Sequence, residues 1–510
     1  MSDQQSVNKN YVAIIDIGSN AVRLVVYDGL NRAPFRIHSE RTICNLGSDL
    51  GKTGYLNPDS VKKALNSIRR FSGLLAAMKV KNVRAVATAA VRDASDGKDF
   101  IDTVQKEFGL TITVIDGEEE ARLSALGVLA NGFGENNVFG QNGRGVIGDY
   151  GGGSLELIVV ENGQVKHKAS LPLGSHRLMA EKDRAARIET IGKHLARAGF
   201  LKDCAGQDFY AMGGAWRSMA TAHMFMSQYP LRLLDHYQVD GKTAAEFAGL
   251  LSRQAPASLE KTVGMSKKRI RDIGVAALTM EQLFEKISPR RLIFSGTGLR
   301  EGLLFDQLSP ALHRQDPLIA GCAKIALRIS RFDDLKAFKT LSRWMEPLFA
   351  GQDGDFMRLL EASCLLSDTG WFEHEEYQAD HAFQRILVMP FYGIDHPGRA
   401  FLALSQYVRY KGYLRRDNHT KGFDDVIRPA QKLLADRTVD LAATIGLAQR
   451  MGYLLTGGAL GLLRHTELKV TAKQLVLKLN DQADLLNADV IHDALKALAE
   501  RMSLTAVVEG

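Results

Sequence analysis

Apolar and polar positions follow two different rhythms along this chain, and the change of rhythm divides it. Tyr11–Ile15 and Val22–Tyr27 are apolar runs of strand length, joined by Asp16-Ile17-Gly18-Ser19-Asn20 and closed by Asp28-Gly29. A polar, glycine-bearing turn between two such runs predicts a β-hairpin. The same order returns much later. A strand opens at Gly145–Gly148, Asp149-Tyr150-Gly151-Gly152-Gly153-Ser154 follows, and Leu155–Val160 returns, closed by Asn162-Gly163. Asp, a Gly two residues on, a polar turn and a terminal Asn/Asp-Gly recur together, which predicts a duplicated domain.

Helical periodicity covers Pro58–Met78, Asp99–Phe108 and Glu118–Leu129, interleaved with strands at Val83–Ala87 and Thr111–Ile115. The second half repeats the alternation, with a strand at Phe209–Met212, a helix from Trp216, a strand at Arg291–Phe294, then Gly296-Thr297-Gly298 and a helix from Leu299. This predicts mixed α/β layers. From about Pro317 the strand runs give way to helical patterns as far as Val507, predicting an all-helical third domain. The Gly/Asn-rich stretch Asn131–Gly145 reads as a linker. The expected domains are 1–137, 138–312 and 313–510.

Composition narrows the class only a little. The 510 residues are 45% hydrophobic and 24% charged, ordinary globular values that exclude a disordered or collagenous chain. No apolar stretch is long enough to span a bilayer, and the polar start MSDQQSVNKN lacks a secretory core, so a cytoplasmic location is expected. Cys44, Cys204, Cys322 and Cys364 lie far apart and predict reduced thiols, not a disulfide frame or zinc knuckle. The net charge of +7 resides in the first three-fifths and favours an anionic partner there, although so mild an excess is also common without one.

The glycine turns carry the chemistry. Without a Cβ, a Gly-Gly-Gly-Ser turn lets backbone N–H groups approach phosphate oxygens closely. Asp16 and Asp149 beside the two turns would repel a phosphate unless a cation intervenes, which points to Mg²⁺. Two such turns on facing domains would clamp one phosphate from both sides. A single turn of this kind is more often a plain hairpin turn; the repeat is what gives it weight.

These residues resemble the two phosphate motifs of the exopolyphosphatase/guanosine pentaphosphate phosphatase family, within the actin-like ATPase superfamily. The resemblance continues through Ala87-Thr88-Ala89-Ala90-Val91-Arg92, Asp116-Gly117-Glu118-Glu119-Glu120-Ala121-Arg122-Leu123, Leu171-Pro172-Leu173-Gly174, Gly213-Gly214 and Ser295-Gly296-Thr297-Gly298-Leu299-Arg300-Glu301-Gly302. It implies two actin-like (ribonuclease H-like) domains with mixed sheets flanked by helices, followed by a helical domain similar to a degenerate HD domain, and a homodimer. Ala21, Gly148 and Tyr150 depart from the family's usual residues.

The implied reaction removes the terminal phosphate of linear inorganic polyphosphate by water attack; conversion of guanosine pentaphosphate to tetraphosphate at the same site, as an addition or as the main activity, is the alternative. Neither nucleic acid nor an integral membrane is an expected partner. Glu120 matches the family's catalytic glutamate, although any of Glu118, Glu119 and Glu120 could serve the helix dipole. Arg92 matches the arginine at the scissile phosphate; a loop arginine is its bland reading. Asp149 and Glu156 match carboxylates tied to magnesium, with Asp16 a weaker candidate. Gly18, Ser19, Asn20, Arg23, Gly151, Gly152, Gly153 and Ser154 would bind phosphate oxygens. Lys267 and Arg269, within the run Lys267-Lys268-Arg269, would rail the rest of the polyanion, unless they are simply a solvated face. Asp368, His374, His381 and His419 suggest metal, but Ser367 precedes Asp368 where an HD pair needs His, so no metal is expected there. The rival readings are an ATP-using kinase or chaperone ATPase, with Gly213-Gly214 or Gly296-Thr297-Gly298 as the remnant of an adenosine loop, and a non-catalytic binder.

Overall fold

The computed structural model describes residues 10–132, 143–255, 258, 267–331, 334–414, 425–480 and 488–509, without the side chains of 267–269 and 271. Two compact units divide the chain at Arg314/Gln315.

The first unit contains the same sheet twice. In its first lobe the strands are β1 (Val12–Ile17), β2 (Ala21–Tyr27), β3 (Arg36–Ile43), β4 (Asn82–Ala87) and β5 (Ile112–Val114), in the order β3-β2-β1-β4-β5. β2 runs antiparallel to both β1 and β3, β4 pairs parallel with β1, and β5 pairs parallel with β4. The second lobe has β6 (Arg144–Tyr150), β7 (Leu155–Glu161), β8 (Gln164–Leu171), β9 (Asp208–Met212), β10 (Tyr237–Asp240) and β11 (Arg291–Phe294). Its order, β8-β7-β6-β9-β11-β10, repeats the first pattern and adds one antiparallel edge strand. This is the duplicated actin-like, ribonuclease H-like arrangement. Residues 133–142 of the expected linker lie outside the described residues.

Helices α1 (Pro58–Ala77), α2 (Ala89–Asp93) and α3 (Gly97–Phe108) belong to the first lobe. Helix α4 (Gly117–Leu129) starts where the Asp116 carboxylate accepts the Glu119 N–H at 2.7 Å, an N-cap. It lies between the sheets. Its Leu123 packs with Val12, Ile14 and Val86 of the first, while Ala121, Ala125 and Val128 pack with Ile147, Ile158 and Tyr210 of the second. A helix apolar on several faces is one buried among other elements.

The second lobe supplies α5 (Ser175–Met179), α6 (Gly214–Met226), α7 (Lys267–Ile287) and α8 (Leu299–Phe305). α8 crosses α4 backbone to backbone: a Cβ on Gly302 would fall 1.8 Å from the Leu123 carbonyl oxygen, and one on Gly127 would fall 2.0 Å from that of Gly298.

The second unit is mainly helical, with α9 (Gly354–Leu365), α10 (His396–Lys411) and α11 (Asp436–Thr456) among its helices. The all-helical expectation needs one correction. β12 (Thr466–Val470), β13 (Gln474–Leu479) and β14 (Thr505–Glu509) form a three-stranded sheet. Its outer strands are short; β12 exposes three of its five residues and β14 fully buries none, so they lack the continuous apolar run that marks a buried strand. In this unit Asp368 is buried and its carboxylate is held by the Arg331 guanidinium at 2.9 and 3.0 Å. His381 pairs with Glu373, His374 packs near the Tyr377 ring, and His419 lies outside the described residues. No described helix is long and apolar enough to cross a membrane.

Candidate active site

The two glycine turns are built alike, each with its carbonyls occupied from behind. In the first, the N–H groups of Cys44 and Asn45 donate to the Asn20 carbonyl at 3.1 and 3.0 Å, and Gly47 N–H donates to that of Ser19 at 3.1 Å. In the second, Ser175 N–H donates to the Gly151 carbonyl at 3.1 Å and His176 N–H to that of Gly152 at 2.9 Å. Each set of donors follows the third strand of its lobe and comes from an Leu-Gly-Ser sequence or its immediate neighbours, Leu46-Gly47-Ser48 and Leu173-Gly174-Ser175. Gly18 and Gly151 spend their own N–H groups closing the turns, on the Ala21 and Ser154 carbonyls at 3.1 and 3.0 Å, so any N–H offered to an anion comes from the later residues of each turn.

Both turns line one cavity of about 730 Å³. They come close at their tips, where a Cβ on Gly153 would lie 3.4 Å from the Ser19 Oγ. Asp16, Gly18, Ser19, Asn20, Arg23, Glu120, Asp149, Gly151, Gly152, Gly153, Ser154 and Glu156 all contribute to the wall. Arg92 stands behind it, donating from Nη1 to the Ile115 carbonyl at 3.1 Å and pairing with the Glu120 carboxylate at 3.5 Å. Lys267 and Arg269 open α7, but their side chains lie outside the described residues; Asp272 on that helix reaches the cavity.

The first turn of α4 separates its three glutamates. Glu118 pairs with Lys168 at 3.0 Å and Glu119 with Arg122 at 2.7 Å, both toward solvent. Of the three, Glu120 is the one on the cavity wall. Burial, then the nearby Glu156 and Asp149 carboxylates, push its carboxyl well above the usual range, against the pull of Arg92.

Strand register arranges the other charges. Asp16 faces Arg23 across β1 and β2, whereas at the equivalent pair of the second lobe Asp149 faces Glu156 across β6 and β7. The first lobe therefore pairs opposite charges where the second pairs like ones. Burial, then Asp149, push Glu156 up to about 7, although Ser154 and Ser170 hydroxyls donate to it. Burial also raises Asp149, which accepts the Ser124 Oγ–H of α4 at 3.1 Å. Like charges opposed across a ladder are unfavourable without a counter-charge.

An arginine group on the wall escaped sequence reasoning: Arg41, Arg217 and Arg300, beside Arg23. Burial, then Arg300, lower the Arg23 guanidinium to about 10. Arg300 lies 3.8 Å from Asp16. The signals were adjacent to motifs already seen, since Arg217 follows Gly213-Gly214 by three residues and Arg300 stands within the Gly296 motif. The departures at Gly148 and Tyr150 are one packing solution. A Cβ on Gly148 would fall 2.8 Å from the Trp216 ring, and Tyr150 stacks on that ring at 5.1 Å.

The Ppx/GppA phosphatase family model matches residues 25–311, more than half of the chain. The chain belongs to the Ppx/GppA phosphatase family. A further model, that of the exopolyphosphatase C-terminal domain, matches residues 350–506. The sequence is 24% identical over 499 residues to Retrograde regulation protein 2 of Saccharomyces cerevisiae, covering 87% of this chain and 81% of that one. It is 27% identical over 312 residues to Exopolyphosphatase 1 of Mycobacterium leprae, covering 58% of this chain and 89% of that protein. It is 25% identical over 316 residues to the guanosine-5'-triphosphate,3'-diphosphate pyrophosphatase of Aliivibrio fischeri, of which it spans only 60%. Among solved structures, an exopolyphosphatase from Cytophaga hutchinsonii shares the fold at a TM-score of 0.50 and 22% identity, covering 59% of this chain and 99% of that one. Arg92, Glu120, Asp149, Glu156 and the second glycine turn lie within the residues that the Ppx/GppA model matches, and the first turn lies just ahead of them.

Proposed function

We propose that this Ppx/GppA member hydrolyses the terminal phosphoanhydride of linear inorganic polyphosphate. The observation that carries the reading is the placement of Glu120 on the wall of a cavity flanked by both glycine turns, beside Arg92 and facing Asp149 and Glu156. The turns hold the terminal phosphate from both sides. The Glu120 carboxylate orients the attacking water and takes its proton. Arg92 stabilises charge on the phosphoryl oxygens as the bond to the departing chain breaks. The released chain leaves as the shortened polyanion.

Magnesium fits this donor set. A buried and a half-buried carboxylate, mutually opposed beside a phosphate turn, are oxygen ligands in surplus negative charge, which suits a hard divalent cation keeping several waters. Asp149 and Glu156 would hold it, with Asp16 nearby. When bound, it would neutralise the carboxylates and phosphate oxygens that otherwise repel each other.

The cavity volume favours a second substrate alongside the first. About 730 Å³ exceeds one phosphate group and is in the range of small-molecule sites, and the wall extends to Ala215, Thr221 and Leu234. Guanosine pentaphosphate carries a terminal anhydride of the same kind and would fit that volume. The deciding experiment measures phosphate release from polyphosphate, guanosine pentaphosphate and ATP side by side, with wild type and Glu120→Gln. Polyphosphate or guanosine pentaphosphate should be turned over, and Glu120→Gln should lower turnover at least about a hundredfold while substrate still binds. ATP turnover exceeding both would instead support the ATPase reading, and unchanged turnover in the variant would remove Glu120 from the mechanism.

A further inference from the structure

Arg92 has a further neighbour besides Glu120 and the Ile115 carbonyl, and that neighbour reaches the opposite lobe. The Arg92 Nε donates to the Asp93 carboxylate at 3.2 Å, and the other oxygen of Asp93 accepts from the Arg177 Nη2 at 3.3 Å. Asp93 ends α2 in the first lobe, whereas Arg177 lies on α5 in the second. α5 is also the helix whose Ser175 and His176 N–H groups hold the carbonyls of Gly151 and Gly152. The second glycine turn is thus joined through α5, Arg177 and Asp93 to the guanidinium that faces Glu120.

We propose that Asp93 is a positioning residue that fixes the Arg92 guanidinium only when Arg177 of the opposite lobe engages it, so that the seating of an anion in the second turn is transmitted to the arginine at the scissile bond. Arg92 has three groups in a row along its guanidinium: Asp93 at Nε, the Ile115 carbonyl at Nη1 and Glu120 at the same nitrogen. The backbone carbonyl is fixed, so Asp93 determines whether the plane of the fork is held. Asp93 and Arg177 are each more than a third exposed. Such a pair is weak and screened, which suits a contact that can form and break. A buried, permanent pair would not report on the opposite lobe.

The inference rests on the hydrolase reading for its kinetic test, and a second measurement is independent of it. In the kinetic arm, Asp93→Asn and Arg177→Gln should each lower kcat roughly threefold to fivefold, the scale of an exposed ion pair, with KM nearly unchanged. The double variant should be no slower than Asp93→Asn. In an Arg92→Ala background, Asp93→Asn should have no further effect. A role in stability alone would persist in that background. In the second arm, the protein is labelled with ¹⁵N-arginine and the Arg92 Nε–H signal is assigned by its loss in Arg92→Lys. Inorganic phosphate should sharpen that signal in wild type and fail to do so in Arg177→Gln. An Arg92 signal with the same phosphate response in both proteins, or an Asp93→Asn defect that is undiminished without Arg92, would overturn the proposal. If wild type hydrolyses none of the substrates, the functional reading fails, and the NMR arm still decides the relay.

Discussion

The buried carboxylates give the most direct single-residue test. Glu156 has its carboxyl moved from 4.5 to about 7 by burial and by Asp149. A carboxyl raised in the folded state binds its proton more tightly there than in the unfolded chain. Its contribution to stability is therefore fully present below pH about 4.5 and is lost as pH rises through about 7. The shift corresponds to about 3 kcal/mol. Glu156→Gln should raise the melting temperature of the metal-free protein by several degrees at pH 8 and leave it unchanged near pH 4. Thermal melts at the two pH values check this, and equal effects at both would show that the residue acts through packing. Magnesium should act in the same direction for a different reason, by supplying the missing counter-charge. It should raise the wild-type melting temperature more at pH 8 than at pH 5, where a protonated Glu156 no longer competes for it, and Glu156→Gln should blunt that gain.

At the scale of elements, each turn depends on the segment behind it. A Cβ on Gly174 would sit 2.3 Å from the Gly153 carbonyl carbon and 2.4 Å from the Gly152 carbonyl oxygen, backbone atoms that cannot swing aside. A Cβ on Gly47, the equivalent position in the first lobe, meets side-chain atoms instead, the Ser19 Cβ at 3.2 Å and the Ala90 Cβ at 3.5 Å. Gly174→Ala should therefore lower turnover at least about tenfold by displacing the second turn, and Gly47→Ala should cost much less. Steady-state kinetics on the two variants check the order, and the reverse order would mean that the first turn holds the phosphate more tightly. The same elements show what the sequence could reveal. β1, β2, β6 and β7 are apolar runs broken by Asp-headed turns, so both hairpins were legible. β3 (RIHSERTI) and β8 (QVKHKASL) went unseen because they are largely exposed and polar, held by their neighbours' hydrogen bonds and not by an apolar face. Missing them hid the Leu-Gly-Ser echo that follows each. Which of Glu118, Glu119 and Glu120 faces substrate was not legible from residue type at all. It depends on the rotation of α4 between two sheets, and residue types far apart in the chain set that rotation.

At the scale of the first unit, two kinds of contact join the lobes, and they should fail differently. Deep in the unit α4 and α8 touch through backbone at Gly127 and Gly302, and Tyr27 donates to the buried Glu301 at 3.0 Å. Toward solvent, Lys168 meets Glu118 and Arg122 meets Asp306 at 2.9 Å, with both members of each pair about a third exposed or more. Close backbone contact cannot admit a methyl group without parting the helices, whereas an exposed ion pair contributes less than about 1 kcal/mol. Gly302→Ala should lower the unfolding temperature by several degrees and also depress turnover, because α4 carries Glu120 and moves with the crossing. Arg122→Gln should change the melting temperature by a degree or two at most and leave turnover near wild type. Calorimetry and phosphate-release assays on both variants distinguish the contacts, and comparable losses from the two would mean that surface charge, not the glycine crossing, sets how the lobes meet.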